Sequence, residues 1–593
     1  MPYLQKTSPP ATKQYSFSLV NFVGGLNNNT EIPADNQAMD IMNMVFVDDT
    51  VMQKRNGQTT YDGYILPSAV VFIDQYMPYQ EPPQLIRATQ TEVYAANTKI
   101  ASVANRITGT NFNGYYLFAD GVNIYVYGKF AQTTDTYTTV NGTPNPNYSL
   151  MTLVNPPSGY TPLDTTHTQG VTVIDYTNYT ICYEPCAEEL QDTNKEGNVI
   201  PDSVRILQVY NGRLVASGDQ FDSNNVFLSD IQNPFYFPAA VPIQLPPNSD
   251  SVKCLFPFDN GLVVGREHDV YIIRGFTNDP NLGVDVFTLN KLNVHAGFVN
   301  EVTTCLMYNF LCYLGADGNI YTLKSSKYNY TGSMDTTLIS HALNLSASPI
   351  NLDLTNLSAA TSIFFRDMLY VSIQDKVLVY SFRHNAWSLL RGLNARSFTQ
   401  IDMTLIWGND NGQTAMFSND YLDFGEPFRA YWTSKYFTMG DEVSYKQFRE
   451  FYIVGKTYSD FKSDVHVTFE VDYDKVDADY SITTQVSVWG KSKFGDRFIL
   501  KDIAPSFPFT LGRRGRNIRF TLSNGHDPSA PVATKTDLIG YPNATNGTLV
   551  YVNDEATYYL FDGFIWTAQN DYDLNETFTV HQINGTYELR GKR

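Results

Sequence analysis

The stretch that decides the fold is Asn260-Gly-Leu-Val-Val-Gly-Arg-Glu-His-Asp-Val-Tyr-Ile-Ile273. An Asn-Gly turn opens it, a short apolar strand follows, a polar turn reverses the chain, and a second strand carries Val and Tyr. That order is a β-hairpin signature. Related stretches are Asn113-Gly-Tyr-Tyr-Leu-Phe-Ala-Asp-Gly-Val-Asn-Ile-Tyr-Val-Tyr127, Asn211-Gly-Arg-Leu-Val-Ala-Ser217, Asn309-Phe-Leu-Cys-Tyr-Leu-Gly-Ala-Asp-Gly-Asn-Ile-Tyr321 and Asp367-Met-Leu-Tyr-Val-Ser-Ile-Gln-Asp-Lys-Val-Leu-Val-Tyr380. The last four copies open at 211, 260, 309 and 367, spacings of 49, 49 and 58 residues. A period near 50 is that of four-stranded propeller blades.

The first copy opens at 113, 98 residues before the second, which leaves room for one more unit. Gly170-Val-Thr-Val-Ile-Asp-Tyr-Thr-Asn-Tyr-Thr-Ile-Cys182 alternates correctly and is read as that unit. Weaker hairpins at 84–96 and 403–417 open and close the ring. The fold class is therefore all-β: a β-propeller of about six to eight blades with a C-terminal β-sandwich and a small β insertion. Each blade covers one face of its neighbour, so the chain needs no single large core.

Five segments follow. Residues 1–65 join propeller and sandwich, and 66–425 form the propeller, interrupted by a Thr-, Asn-, Pro- and Gly-rich loop at 132–168. Longer alternating strands after the period is lost, such as Val465-His-Val-Thr-Phe-Glu-Val-Asp-Tyr473, Gln485-Val-Ser-Val-Trp489 and Asn517-Ile-Arg-Phe-Thr-Leu522, read as a β-sandwich over 426–527. Residues 528–573 read as a small inserted β subdomain, and 574–593 supply the last sandwich strand. Helix signals are scarce, with 34–44 the best candidate.

Composition narrows the function. The 593 residues are 43% hydrophobic and include 41 Tyr and 37 Phe, aromatic residues that suit strands. The formal charge of −19 argues against holding nucleic acid by counterion release, which needs clustered Lys and Arg. Five cysteines, an odd number, make a disulfide scaffold unfit and suit a reducing site of synthesis. No signal-peptide core opens the sequence and no apolar run approaches the roughly 20 residues of a membrane span. The expectation is a soluble chain without an export signal.

Motifs for chemistry are sparse. Gly455-Lys-Thr457 and Gly490-Lys-Ser492 lack the preceding glycine of a phosphate-binding loop, having Glu450 and Gln485 in its place. Cys182 and Cys186 form a lone pair without zinc-finger partners, so strand and turn thiols are expected. His268 is expected at a turn or on the surface. Glu470, Asp472, Asp474, Asp477 and Asp479 alternate along one strand or hairpin tip and could attract Ca²⁺, but the glycine of an EF-hand loop is missing and a solvated strand face is the plainer reading. A glycosidase pair needs carboxyl groups about 5 to 9.5 Å apart, which sequence cannot place. No catalytic residue, cofactor or metal site is assigned. Arg513, Arg514, Arg516 and Arg519 form the one basic cluster, suited to DNA or, preferably, to the acidic surface of a neighbouring subunit.

Several motifs share an order with a known family. Asn21-Phe-Val-Gly-Gly-Leu-Asn27, Pro33-Ala-Asp35, Asn43-Met-Val-Phe-Val-Asp48 and Gln53-Lys-Arg-Asn-Gly57 open the chain, and Asn211-Gly-Arg-Leu-Val-Ala-Ser-Gly218, Val226-Phe-Leu-Ser229 and Asn385-Ala-Trp-Ser388 follow in the blades. Ser434-Lys-Tyr-Phe-Thr-Met-Gly440, Lys446-Gln-Phe-Arg449, Leu511-Gly-Arg-Arg-Gly-Arg516 and Glu588-Leu-Arg-Gly-Lys-Arg593 complete the series. In this order the sequence resembles the nozzle proteins of short-tailed bacteriophages, also called tail tubular protein B, with 132–168 and 528–573 as additions to the family pattern.

The resemblance implies a non-enzymatic virion protein of the phage tail, made in the host cytoplasm. About six copies would form a ring below the tail adaptor and portal-proximal ring proteins, gate the DNA channel and carry tail fibres or spikes. DNA would pass an acidic lumen without specific binding. The alternatives are a host-receptor or glycan-binding tail protein, with Trp566 as a stacking platform, and a secreted propeller glycosidase.

Overall fold

The computed structural model describes residues 13–134, 203–456, 462–483 and 503–590 with short breaks, together with strand segments between 137 and 183. The described residues form seven propeller blades, a two-sheet sandwich, a separate small sheet and, within the insertion of blade 2, the two-stranded pair Tyr137–Thr138 with Pro144–Asn145. The 3-10 turn Glu301–Thr303 is the only helical element among them.

Six blades take their four strands from the middle of the chain. Blade 1 is Phe72–Tyr76, Gln84–Ala88, Glu92–Ala95 and Thr98–Ser102, and blade 2 is Thr108–Phe112, Tyr115–Ala119, Ile124–Thr134 and Tyr179–Tyr183. Blades 3, 4, 5 and 6 begin with Ile206–Tyr210, Cys254–Phe258, Thr304–Met307 and Thr361–Phe365. The repeating hairpins seen in the sequence are thus the second and third strands of blades, except that Asn211–Ser217 spans only the second strand of blade 3. The unit read at 170–182 is not a separate blade: Tyr179–Tyr183 pairs with Ile124–Thr134, Val126 opposite Cys182, as the outer strand of blade 2. An inserted excursion, rather than a missing repeat, accounts for the 98-residue spacing.

Blade 7 is composite. Ser397–Ile401, Thr404–Gly408 and Gln413–Phe417 supply three strands, and Gln58–Ile65, from the other end of the chain, supplies the fourth by pairing antiparallel to Gln413–Phe417. Ile73 N–H of blade 1 donates to Ser397 Oγ of blade 7 at 3.0 Å, and Arg87 of blade 1 reaches Asp62 on the closing strand at 2.9 Å. Segment 1–65 is therefore shared: its final strand belongs to the ring, and its earlier strands belong to the sandwich.

The second strands of blades 2, 3 and 4, Tyr115–Ala119, Arg213–Ser217 and Gly261–Gly265, are buried along their whole length. A strand covered on both faces reads as a continuous apolar run instead of an alternating one. Between blades 1 and 2, Ile86 and Val93 pack on Tyr116 and Phe118, whose ring stacks on Tyr125 at 4.8 Å. Between blades 4 and 5, Phe298 stacks on Tyr313 at 4.1 Å. The ring's core is this series of interfaces.

In the sandwich, the first sheet centres on Tyr445–Lys456 and Thr579–Arg590, joined by Gln14–Leu19, Met52–Lys54 and Met44–Phe46. The second orders Ala38–Met42, Tyr431–Ser434, Ile518–Ser523, Lys462–Val471 and Asp474–Thr483. Phe451 of the first sheet meets Phe469 of the second at 4.9 Å, and Phe17 stacks on Phe520. The helix expected at 34–44 does not form; Ala38–Met42 is a strand because its edge is paired with Tyr431–Ser434, and that tertiary pairing overrides local propensity. Pro528–Val532, Thr548–Val552, Thr557–Phe561 and Trp566–Gln569 make the separate sheet, after which the chain re-enters the sandwich.

One interface carries an ionisable group out of its usual range. Asp74 of blade 1 is half-buried and accepts from Tyr116 Oη of blade 2 at 2.8 Å; burial pushes its carboxyl up to about 6 despite that hydrogen bond. A carboxyl that holds its proton more tightly folded than unfolded costs nothing below about pH 4 and becomes a growing penalty as pH rises to about 6. Asp74→Asn should therefore stabilise the protein by about 1–3 kcal/mol above pH 7 and flatten the stability profile between about pH 4 and 6. Urea unfolding across that range measures both effects.

Candidate functional site

Segments far apart in sequence meet where the propeller abuts the sandwich. Leu26 N–H donates to Trp387 O at 2.7 Å, and Asn43 N–H to Leu389 O at 2.8 Å, so both ends of this N-terminal stretch are fixed to the outer strand of blade 6, Ala386–Arg391. Gly25 sits there at φ 69°, and a Cβ on it would lie 2.5 Å from Trp387 O, so both its conformation and its close approach require glycine. Trp387 is buried and donates its indole N–H to Ile339 O at 2.9 Å. Ser388 Oγ donates to Met44 O.

Arg55 is the centre of this seam. Its guanidinium is 1% exposed and forms a bidentate pair with Asp423, Nη1 to Oδ1 at 2.8 Å and Nη2 to Oδ2 at 2.6 Å. Nε donates to Asn43 Oδ1 at 3.1 Å, and the remaining donors reach Asn56 O and Arg391 O, both at 3.0 Å. Phe428 covers the guanidinium face at 3.9 Å. Every donor of the fork is used, which Lys could not reproduce. The pair ties the N-terminal segment to blade 6 and to the exit from blade 7.

The four arginines singled out in the sequence separate into two groups. Arg513, Arg514 and Arg516 are exposed on the edge of the first sandwich sheet, where Arg514–Gly515 pairs with Tyr445–Lys456. The Arg514 and Arg516 guanidinium groups lie 4.9 and 5.0 Å from the Tyr445 ring. Lys446 holds the turn from beneath: its buried Nζ donates to Ser444 O, Arg516 O and Asp441 O, and burial lowers its pKa against the pull of Asp441 and Asp472. Arg519 is not part of the exposed group. It faces Glu470 on the second sheet at 2.6 Å and stacks over Tyr436 at 4.6 Å.

That pairing also corrects the carboxylate reading. Glu470 is buried rather than on a solvated face; burial pushes its carboxyl up, but hydrogen bonds from Arg519 and Tyr436 outweigh this and hold it below the usual value. Asp472 accepts from Arg516 N–H and Asn517 N–H at 2.8 and 3.1 Å, and Asp474 is exposed. The side chains of Asp477 and Asp479, like those of Cys182, Cys186 and Trp566, lie outside the described residues. Among the described residues no group of three His, Cys, Asp or Glu side chains is placed to hold a metal ion. His268 is exposed, with Nδ1 2.8 Å from Asp250 Oδ2, a contact that raises its pKa. No helix among the described residues is long and apolar enough to cross a membrane.

These elements define a seven-bladed propeller locked to a β-sandwich. No family model matches the chain, and no curated protein matches it in sequence. Among solved structures it is similar to PorZ, described as an essential bacterial surface component of the type-IX secretion system of Porphyromonas gingivalis, at 11% identity and a TM-score of 0.31. That match covers 71% of this chain and 46% of PorZ, so the chain spans less than half the length of that protein. The computationally designed Ika8 protein (12% identity, TM-score 0.29, 67% of this chain and 99% of that one) and the Pan2 WD40 domain of Neurospora crassa (10%, 0.28, 63% and 98%) are comparably distant. The propeller assignment rests on sheet order and ring closure.

Removing Arg55 leaves the half-buried Asp423 without its counter-charge and opens a fully buried site, which costs about 2–4 kcal/mol. Arg55→Met should lower the denaturant midpoint accordingly. The double variant with Asp423→Leu should recover most of the loss, because then neither charge is stranded.

Proposed function

We propose that this chain is a structural subunit of a short-tailed phage tail, a nozzle protein that assembles as a ring, extends the DNA channel below the tail adaptor, gates genome exit and carries tail appendages. The observation that carries the reading is the convergence of the motifs behind the resemblance. Gly24-Gly25-Leu26-Asn27, Asn43, Arg55-Asn56-Gly57 and Ala386-Trp387-Ser388 are remote in sequence and adjoin one another along the buried seam between propeller and sandwich. Motifs concentrated on a locked junction suit a part whose task is to hold shape under load rather than to turn over a substrate. The −19 formal charge suits a channel wall along which DNA slides without adhering.

In this reading Arg513, Arg514 and Arg516 meet an acidic face of the next copy, with charge complementarity fixing the register of the ring. Electron microscopy and native mass measurement of the chain with its adaptor, or on intact particles, should give a sixfold ring with a central hole. Absence of the chain from particle tails, or persistence of a monomer on the adaptor, overturns the proposal. Replacing the three exposed arginines by Ala should weaken ring assembly and leave the unfolding transition of the free chain unchanged.

A further inference from the structure

The first strands of successive blades contact one another, with the turn Glu301–Thr303 between those of blades 4 and 5, and so line the ring's axis. At the face where those strands begin, a cavity of about 510 Å³ is lined by the residues that lead into blades 2 to 6. Arg106 comes from blade 2, Arg205 from blade 3, Lys253 from blade 4, and Glu301 from the turn before blade 5. In a chain of formal charge −19, three cations and one carboxylate lining the same axial mouth stand apart from the rest of the composition. Nothing in the sequence pattern joins them, because about 200 residues separate Arg106 from Glu301; the ring brings them together.

The groups are not satisfied by one another. Arg106 makes a long contact from Nη2 to Arg396 O at 3.4 Å, and its Nε is buried with no hydrogen-bond partner. Among the described residues no cation closes to ion-pair distance of the Glu301 carboxylate, although Arg106 and Lys253 are near enough to act on it electrostatically. Burial pushes the Glu301 carboxyl up and the Arg106 guanidinium down, each against the attraction of the other. Arg106 Nε is thus a buried donor left unmade, which is costly, beside a cavity whose other charged groups are open to solvent and free to meet a ligand.

We propose that this axial cavity binds a small polyhydroxylated anion, a sugar acid or sugar phosphate, with its acidic group held by Arg106, Arg205 and Lys253 and a hydroxyl donating to Glu301. The charge balance selects this class. A small inorganic anion would pair with the cations but leave most of the cavity and the Glu301 carboxylate without a hydrogen-bonding partner, and a neutral sugar would leave three cations without a counter-charge. A ligand that is acidic at one end and a hydrogen-bond donor at the other satisfies both sets. The volume lies within the usual range of small-ligand sites, and Ser223 and Ser251 on the wall offer further hydroxyl contacts. The site does not depend on the nozzle reading, since it belongs to the propeller of a single copy.

Isothermal titration of the full chain with glucuronate, glucose 6-phosphate, glucose, inorganic phosphate and glutamate tests it. Glucuronate or glucose 6-phosphate should bind, while glucose and phosphate bind at least about tenfold more weakly. Arg205→Ala removes an exposed side chain and Lys253→Met keeps the aliphatic stem, so both should fold with unchanged melting temperature while losing about tenfold or more in affinity. Glu301→Gln should reduce discrimination between glucose 6-phosphate and phosphate. The proposal fails if neither acidic sugar binds, if both variants bind as the parent does, or if phosphate or glutamate binds as tightly as the acidic sugars. An oligosaccharide ending in glucuronate separates the two sources of such a ligand: tighter binding than the free acid assigns a glycan end, and weaker binding assigns a free metabolite. Either ranking upholds the site.

Discussion

A ring of sheets has no interior until it is closed, and in this protein closure depends on the strand Gln58–Ile65. Each blade buries its apolar faces only against two neighbours, so an open arc would leave the flanks of blades 1 and 7 exposed. The closing strand is held along its edge by Gln413–Phe417 and at its flank by the Arg87–Asp62 pair. A few residues before it, the Arg55–Asp423 pair fixes where the strand begins. The same short stretch of chain therefore seals the propeller and anchors the sandwich.

The two modules consequently share a boundary that is not a linker. One apolar cluster includes Leu369, Trp387 and Leu389 of blade 6 together with Trp432, Phe448 and Phe520 of the sandwich. A continuous core of this kind transmits strain instead of absorbing it at a hinge. The exposed arginines at the sandwich edge and the charged cavity at the propeller mouth are thus carried on one rigid body, and each is built from residues that hairpin periodicity alone would not associate.

How much of this was legible in the sequence depended on whether local chemistry announced the local structure. Asn113-Gly114, Asn211-Gly212 and Asp259-Asn260 turn with φ positive at both positions, the conformation those residues favour, and their hairpins stood out. Arg366-Asp367 and Asp402-Met403 adopt the same conformation with residues that do not advertise it, and there the alternation of the strands rather than the turn marked the hairpin. The segment at 170–182 alternates like a blade strand, and Tyr179–Tyr183 is one, but alternation carries no information about which sheet it joins. Ala38–Met42 looked helical because its pairing partner lies almost 400 residues away. Arg519 sits next to the exposed arginines in sequence but lies on Ile518–Ser523 of the second sheet, where the register sets it opposite Glu470. The axial cavity had no signal at all: its charges come from four turns, and only ring geometry makes them neighbours.

The strand Thr579–Arg590 lies between Gln14–Leu19 and Tyr445–Lys456, so the first sheet of the sandwich is assembled from opposite ends of the polypeptide. On a ribosome the propeller has all its strands once residue 417 has emerged, whereas Gln14–Leu19 must wait for some 170 further residues before its partner exists. Contacts this remote make folding slow and leave strand edges uncovered meanwhile. The finished propeller then serves as the scaffold on which the sandwich is completed, and a chain interrupted before residue 579 would carry a closed ring beside an unpaired, aggregation-prone edge.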